Sequence, residues 1–378
     1  MTPISCVEEL QELLLSVDRL LPRGGGTKTA LSGNLPGFEI ADLRPLAGIV
    51  EHQPSEFTVT VKAGTPVELL EEILEHENQY LPFDPVLVRQ GATIGGTVSS
   101  GLSGSGRLRY GGIRDFILAV QMVDGNARVI RGGQRVVKNA AGFDLPKLLV
   151  GSLGGLGILT EVTLKVFPLP PASWTLRVPF ESLEEAVRAM VELRGGVHEM
   201  DALELDSQRV LWMRIRGVED GLEARADRLR AQLDNCETVA ADEAAAWWSQ
   251  RRKLGEGRGG ATLVKVPTTP ARIVALDRAL EGLGASRHYG AGGQQAWLSL
   301  QGDELERLDR RLRGMSLRAV VVLGEPGSPL LGHAGDAEFL RRICAVLDPK
   351  ARFRPLGPAF EPPSETPNEE VASACSTR

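Results

Sequence analysis

Cysteine is scarce in this 378-residue chain: Cys6, Cys236, Cys344 and Cys375 stand apart, with no CxxC pair. That spacing offers no zinc site and no iron–sulfur cluster, and it reads as a reducing compartment. Long apolar runs are also missing. A membrane-spanning helix takes about 20 apolar residues, and Lys147, Glu161 and Lys165 interrupt the most apolar stretch. The N-terminus, MTPISCVEELQELL, has acids where a signal peptide would have a basic region. The expectation is a cytoplasmic protein, peripheral to the inner face of the cell membrane only through partners. An excess of basic charge is absent too. The net charge of −6 and the pI near 5.6 argue against nucleic acid as the main partner.

Several motifs are lacking. No Walker A sequence occurs, Arg23–Lys28 (RGGGTK) does not match the Rossmann GxGxxG, and there is no HExxH. The five histidines (His52, His76, His198, His288, His333) lie far apart, and each alone is more often a surface or satisfied polar residue than a base or ligand. Likewise Trp247-Trp248 reads as core or interface, and Arg251-Arg252-Lys253 as a solvated face before an anion clamp.

Glycine is abundant. In Gly91–Asp115, eight of the first 22 residues are glycine and no acid appears before Asp115. Such a run makes a poor helix and a poor strand, lets backbone approach a ligand closely, and loses much entropy on ordering. Its backbone N–H groups, arginines and hydroxyls suit a phosphate-bearing ligand.

Along the chain, the apolar spacing predicts a helix over 6–21 stopped by Pro22, strands at 38–43 and 58–63, and a helix starting at Gly64-Thr65-Pro66. A hairpin follows, 117–125 with 127–133, turning through Asp-Gly-Asn. A short helix over 144–150, a glycine turn at 151–157 and a strand over 158–166 lead to Pro168, Pro170 and Pro171. Residues 172–325 then read as two βαββαβ units in tandem, separated by a helix carrying Trp247 and Trp248. The fold class is therefore α+β: a two-part first domain (1–170), then a duplicated split-βαβ, ferredoxin-like antiparallel cap domain with helices on one face (171–335). A helix and return segment (336–357) and a disordered tail (358–378) complete the division.

The glycine motifs are more specific together than singly. Arg23–Thr27 (RGGGT), Pro85–Gly96 (PxxxxxGATIGG), Tyr110–Asp115 (YGGIRD), Val136–Leu148 (VVKNAAGFDLPKL) and Gly151–Val166 (GSLGGLGILTEVTLKV) occur in that order. This set resembles the FAD-linked oxidases, whose FAD-binding domain is of the vanillyl-alcohol-oxidase or PCMH type. Within them it is most similar to the FAD-binding subunits of glycolate oxidases. The resemblance is strong over 1–170 and weaker beyond.

The resemblance implies non-covalent FAD. The family's phosphate loop falls on Arg23, Gly24, Gly25, Gly26, Thr27 and Lys28. Pro85, Gly91, Thr93, Ile94, Gly95 and Gly96 match the segment along the diphosphate and isoalloxazine. Ser99, Gly104, Tyr110, Arg114 and Asp115 match its continuation toward flavin and ribose. Lys138, Asn139, Gly142 and Asp144 match the VKN..GYD segment, and Gly157 with Ile158 the adenine side. It also implies oxidation of a small 2-hydroxy acid (glycolate or D-lactate) to the 2-oxo acid. The implied partners are a catalytic FAD subunit (GlcD-like) and an iron–sulfur subunit (GlcF-like). A non-catalytic assembly or electron-relay subunit, or a free-standing FAD-linked oxidoreductase for another substrate, are the alternatives. Phe143 replaces the family's Tyr, Gly155 a frequent Thr, and the C-terminal DP.G.FNPGR pattern becomes DPKARFRPLG from Asp348. The paired metal-binding histidines of 2-hydroxy-acid dehydrogenase relatives have no counterpart, so no catalytic base is named.

Overall fold

Six of the eight residues in the strand Ile158–Lys165 are buried, because it runs through the middle of a sheet covered on both faces. In this computed structural model, residues 1–355 are described except 34, 135–143, 197, 255–261, 334 and 336. The antiparallel sheet has the order Ile49–Gln53, Thr58–Lys62, Ile158–Lys165, Ile117–Val123, Val129–Gly133. The hairpin closes as expected, with Val123 opposite Val129. Beside it stands a parallel sheet of Thr2–Pro3, Glu39–Asp42 and Leu20–Arg23. Leu10 and Leu14, on the helix Val7–Ser16, pack with Val123 and Ile158 between the two sheets.

That helix is shorter than its periodicity predicts. It ends at Ser16, Val17 is extended (φ −123°, ψ 154°), and Pro22 lies inside a strand instead of stopping a helix. The strand is at the edge of its sheet, where a missing N–H removes no ladder bond. The strand Ile49–Gln53 escaped the sequence reading because it is a largely uncovered edge with no apolar alternation.

The glycine-rich stretch does hold a helix, Ile94–Ser100, against expectation. Thr93 caps it by accepting from the Gly96 N–H (3.4 Å), and Gly101 ends it at φ +63°. A Cβ at Gly95 would lie 2.9 Å from Ala63 Cβ, so glycine there lets the helix seat directly on the end of the strand Thr58–Lys62. Tertiary contact thus overrides weak helix propensity.

Residues 172–332 form one nine-stranded sheet. Its order is Glu237–Thr238, Ala172–Pro179, Val210–Gly217, Ala202–Leu205, Ser286–Gly290, Gln295–Leu300, Thr262–Pro267, Arg318–Leu323, Leu330–Gly332. The first four strands have the sequence order fourth, first, third, second, and the next four have its mirror, so the two βαββαβ units predicted from sequence are both present. Their second strands meet through one ladder pair, Leu205 with Tyr289. The helices Leu183–Gly195, Glu219–Gln232, Pro270–Ala279 and Leu305–Gly314 cover one face, on a core that includes Met190, Leu203, Met213, Ile273 and Leu298.

The opposite face is covered as well. Trp212, Trp247 and Trp248 bring the helix Ala241–Arg252 under the first half, with Trp212 stacked on Trp247 at 4.4 Å. Leu263, Trp297 and Val322 join the core of the first domain. The tryptophan pair is therefore core, as the bland reading had it. The chain then returns: the helix Ala337–Leu347 leads to Phe353, buried among Ile4, Leu10 and Leu14, while Leu20 N–H donates to Arg352 O (2.8 Å). Despite its altered pattern, the segment after Asp348 makes its contact with the first domain. Among the described residues no helix is long and apolar enough to cross a membrane. The expected disordered tail lies outside the described residues.

Candidate functional site

Between the parallel sheet and the helix Ile94–Ser100 runs an open groove. Twelve of the residues matched to the family's cofactor segments line it: Arg23, Gly24, Gly25, Gly26, Thr27, Lys28, Thr93, Gly95, Gly96, Ser99, Gly157 and Ile158. The strand Leu20–Arg23 delivers the loop Gly24–Lys28, and the glycines let it lie flat on the segment below. A Cβ at Gly24 would stand 2.1 Å from Thr93 Oγ1, and one at Gly25 would stand 1.8 Å from the Gly91 carbonyl oxygen.

No backbone N–H from Gly24 to Lys28 meets an acceptor among the described residues. Lys28 is 6% exposed, and its one side-chain hydrogen bond is a long one to Thr27 Oγ1 (3.4 Å). No carboxylate pairs with it among the described residues, and burial pulls its pKa down to about 8. A row of unmet donors beside a buried cation is the donor set that a diphosphate completes. The residues present therefore fit the dinucleotide. Leu31, Ser32, Leu43, Ala63, Ser100, Leu153, Gly154 and Leu159 also line the groove. The motif reading passed over them; Leu153-Gly154 lie within GSLGGLG, the one available signal.

The remaining matched residues lie elsewhere. Gly91 supports Gly25 from below. Ile94 is buried, its N–H on Thr65 O (2.9 Å). Pro85 offers its carbonyl to Arg252 Nε (3.0 Å), and Gly104 donates to the carbonyls of Phe83 and Asp84. Arg114 is exposed, and Asp115 accepts from Gly112 N–H (2.8 Å). Asp144 caps its own short helix and pairs with Lys147 (2.8 Å). Lys138, Asn139, Gly142 and the Phe143 departure lie outside the described residues.

Tyr110 turns toward the nine-stranded sheet, with its hydroxyl donating to Asp201 Oδ1 (3.2 Å). Around it residues 84–110 and the nine-stranded sheet are tied by charge. Asp84 accepts from Arg214 and from Gly106 N–H (2.8 Å), while Arg109 and Arg216 approach Asp201 at 3.6 and 3.8 Å. Burial pushes Asp201 up in pKa against the pull of Arg216, Arg214 and Arg109. Arg252, expected on a solvated face, instead binds Glu71 (2.5 Å) and the Pro85 carbonyl across the same junction.

Comparison with known proteins follows the same division. The model for an FAD binding domain matches residues 6–133. The glycolate oxidase subunit GlcE of Escherichia coli is 30% identical over 92% of this chain and 95% of its own length. The glycolate oxidase subunit GlcD of Bacillus subtilis is 31% identical over 46% of this chain, and the match spans 37% of that protein. Among solved structures, p-cresol methylhydroxylase superposes with a TM-score of 0.72 over 93% of this chain and 87% of that one, at 13% identity, which speaks for the fold alone. Similarity at this identity along nearly the whole of both chains leads to one assignment: the chain belongs to the family of the glycolate oxidase subunit GlcE, FAD-binding proteins of the PCMH type.

Proposed function

We propose that this chain is the FAD-binding subunit of a glycolate oxidase or dehydrogenase complex that oxidises a small 2-hydroxy acid to the 2-oxo acid. The observation that carries the reading is the loop Gly24–Lys28, whose backbone donors and buried Lys28 await a diphosphate. FAD when bound supplies the two-electron chemistry. The chain's own residues hold it: the loop takes the diphosphate, Thr93, Gly95, Gly96 and Ser99 flank it, and Gly157 with Ile158 close the far side. No covalent flavin link is expected at Arg23–Lys28, which contains neither His nor Cys.

The similarity to GlcE and GlcD supports a heteromeric assembly with a catalytic FAD subunit of the GlcD kind. Four scattered cysteines fit an arrangement in which a separate GlcF-like subunit holds the iron–sulfur clusters. Purified protein that is colourless and takes up no FAD on reconstitution would sink the reading. FAD-loaded chain is expected to reduce an artificial acceptor with glycolate or D-lactate. A loaded chain inert to both substrates would leave it an electron-relay subunit instead.

A further inference from the structure

We infer that Arg107 and Lys265 form a site for a small carboxylate where the glycine-rich stretch meets the nine-stranded sheet, and that the 2-hydroxy acid substrate places its carboxylate there. The inference rests on the 2-hydroxy-acid reading above and adds the residues that hold the acid.

The strand Thr262–Pro267 sends alternate side chains to opposite faces. Val264 and Val266 enter the core beneath the four helices, whereas Leu263 joins the core built on the five-stranded sheet. Lys265 shares the face of Leu263. It stands opposite Trp297 in the ladder, with Nζ 5.9 Å from the centre of that ring. Arg107 comes from the other side of the junction, at the start of the short helix Arg107–Tyr110. Glycine at 112 makes room for it: a Cβ there would stand 2.2 Å from Arg107 Nη1. The two cations are close enough for Arg107 to join burial in bringing the Lys265 pKa down to about 8.

The pair is set apart by its lack of counter-charge. The other arginines described at this junction meet carboxylates: Arg214 meets Asp84, Arg109 and Arg216 meet Asp201, and Arg252 meets Glu71. Neither Lys265 Nζ nor the Arg107 guanidinium has a hydrogen-bond acceptor or a carboxylate among the described residues. The ring face of Trp297 attracts the ammonium but leaves its three N–H donors unused. Two like charges shielded from water repel each other, and an anion between them turns that repulsion into attraction.

The ligand class follows from the surroundings. The backbone N–H groups of Gly104, Arg107 and Gly111 already donate to carbonyls. Those of Gly106, Gly112 and Ile113 donate to side-chain oxygens. The row of unmet amides that suits a phosphate at Gly24–Lys28 is therefore missing here. Side-chain charge alone suits a carboxylate, because a guanidinium takes both oxygens in one plane and an ammonium needs only one. Gly104 and Ser105, just before Arg107, line a cavity together with Leu263 and Trp297, which neighbour Lys265 along and across the sheet. The body of a small acid has an apolar wall there. Gly104 and Ser105 also continue the segment whose Thr93–Ser99 portion lines the cofactor groove, which puts the acid beside the cofactor's path.

Oxalate, a dicarboxylate with no hydrogen to lose, is the probe, titrated calorimetrically into full-length protein with and without FAD. Wild type is expected to bind it in both forms and to release it to glycolate and D-lactate. Lys265→Met and Arg107→Met are each expected to weaken oxalate roughly 10- to 100-fold at unchanged FAD content. Without ligand neither variant is expected to melt below wild type, because each removes a charge that nothing neutralises. Wild-type protein that binds no oxalate in either form, or a methionine variant that binds it as wild type does, overturns the site. A methionine variant that melts well below wild type also overturns it, since its cation was then already satisfied. Oxalate that binds only in the absence of FAD, or that neither hydroxy acid displaces, overturns the assignment to substrate. Failure to take up FAD counts against the functional reading alone, because oxalate binding to FAD-free protein decides the Arg107–Lys265 site separately.

Discussion

Arg214 donates to Asp84 across the junction of the two domains, Nη2 to Oδ2 at 2.5 Å, with both side chains buried. Burial opposes ionisation of Asp84, but Arg214, with Arg216 and Arg252 behind it, outweighs burial and holds the carboxyl below its ordinary range. The junction thus depends on a charge that only its partner makes tolerable.

Removing one member leaves the other buried and uncompensated. Asp84→Leu or Arg214→Leu is expected to destabilise the protein by about 3–5 kcal/mol. The double substitution Asp84→Leu with Arg214→Leu should cost less than the sum of the singles. Denaturant melts of all four proteins close the cycle, and strictly additive losses would refute the coupling.

A methyl group at Gly25 has nowhere to go, since the Gly91 carbonyl would stand 1.8 Å from it. Gly25→Ala is therefore expected to lift the loop off its support and cut FAD content at least tenfold while the sheets still form. Absorbance of the bound flavin against the far-ultraviolet circular dichroism of the same sample checks both halves of the claim.

Lys28 gives a pH dependence. Its pKa in the folded, ligand-free protein is about 8, below the ordinary lysine value, because it is buried. Between that value and the ordinary one the unfolded chain holds the proton and the folded chain does not, so this group makes ligand-free stability rise with pH above about 8. Diphosphate binding favours the charged lysine, so FAD affinity should fall as pH rises through the same window. Lys28→Met should flatten both trends, weaken FAD by roughly 10- to 100-fold, and leave the empty protein no less stable. Melting curves from pH 7 to about 10 with and without FAD are the measurement.

The return segment ends in a buried ring. Phe353→Ala is expected to cost about 3–5 kcal/mol, since Ile4, Leu10 and Leu14 would surround a void. A loss within experimental error would mean that the segment after Asp348 adds nothing to the first domain.

The glycine loops that line the first groove were readable because their residues are neighbours in sequence and glycine has few substitutes there: Gly24 and Gly25 are needed wherever a loop must lie flat on Gly91 and Thr93. The order of strands in the cap was readable for a similar reason, since alternation and helix spacing are local. The Glu204–His288 pair was not. Glu204 and His288 are 84 residues apart and become neighbours only when the two half-sheets join. Each alone matches the profile of an ordinary buried or surface polar residue. Arg251 looked like one of three solvated cations until the stacking of Trp247 on Trp212 fixed the face its helix presents. Tyr110 was placed in a cofactor motif by its sequence, and its bond to Asp201, 91 residues away, was not legible there.

The half-sheets share one ladder pair, Leu205 with Tyr289, and a stitch from Glu204 to the Ala291 N–H beside it. Mechanically this is the sheet's narrowest weld, far thinner than the eight-pair contact between Ala172–Pro179 and Val210–Gly217. The rest of the join lies off the sheet, in the packing of helix Leu183–Gly195 on helix Pro270–Ala279 and in the one core beneath the four helices. The carboxylate–imidazole pair therefore bridges the weld directly, one partner from each half.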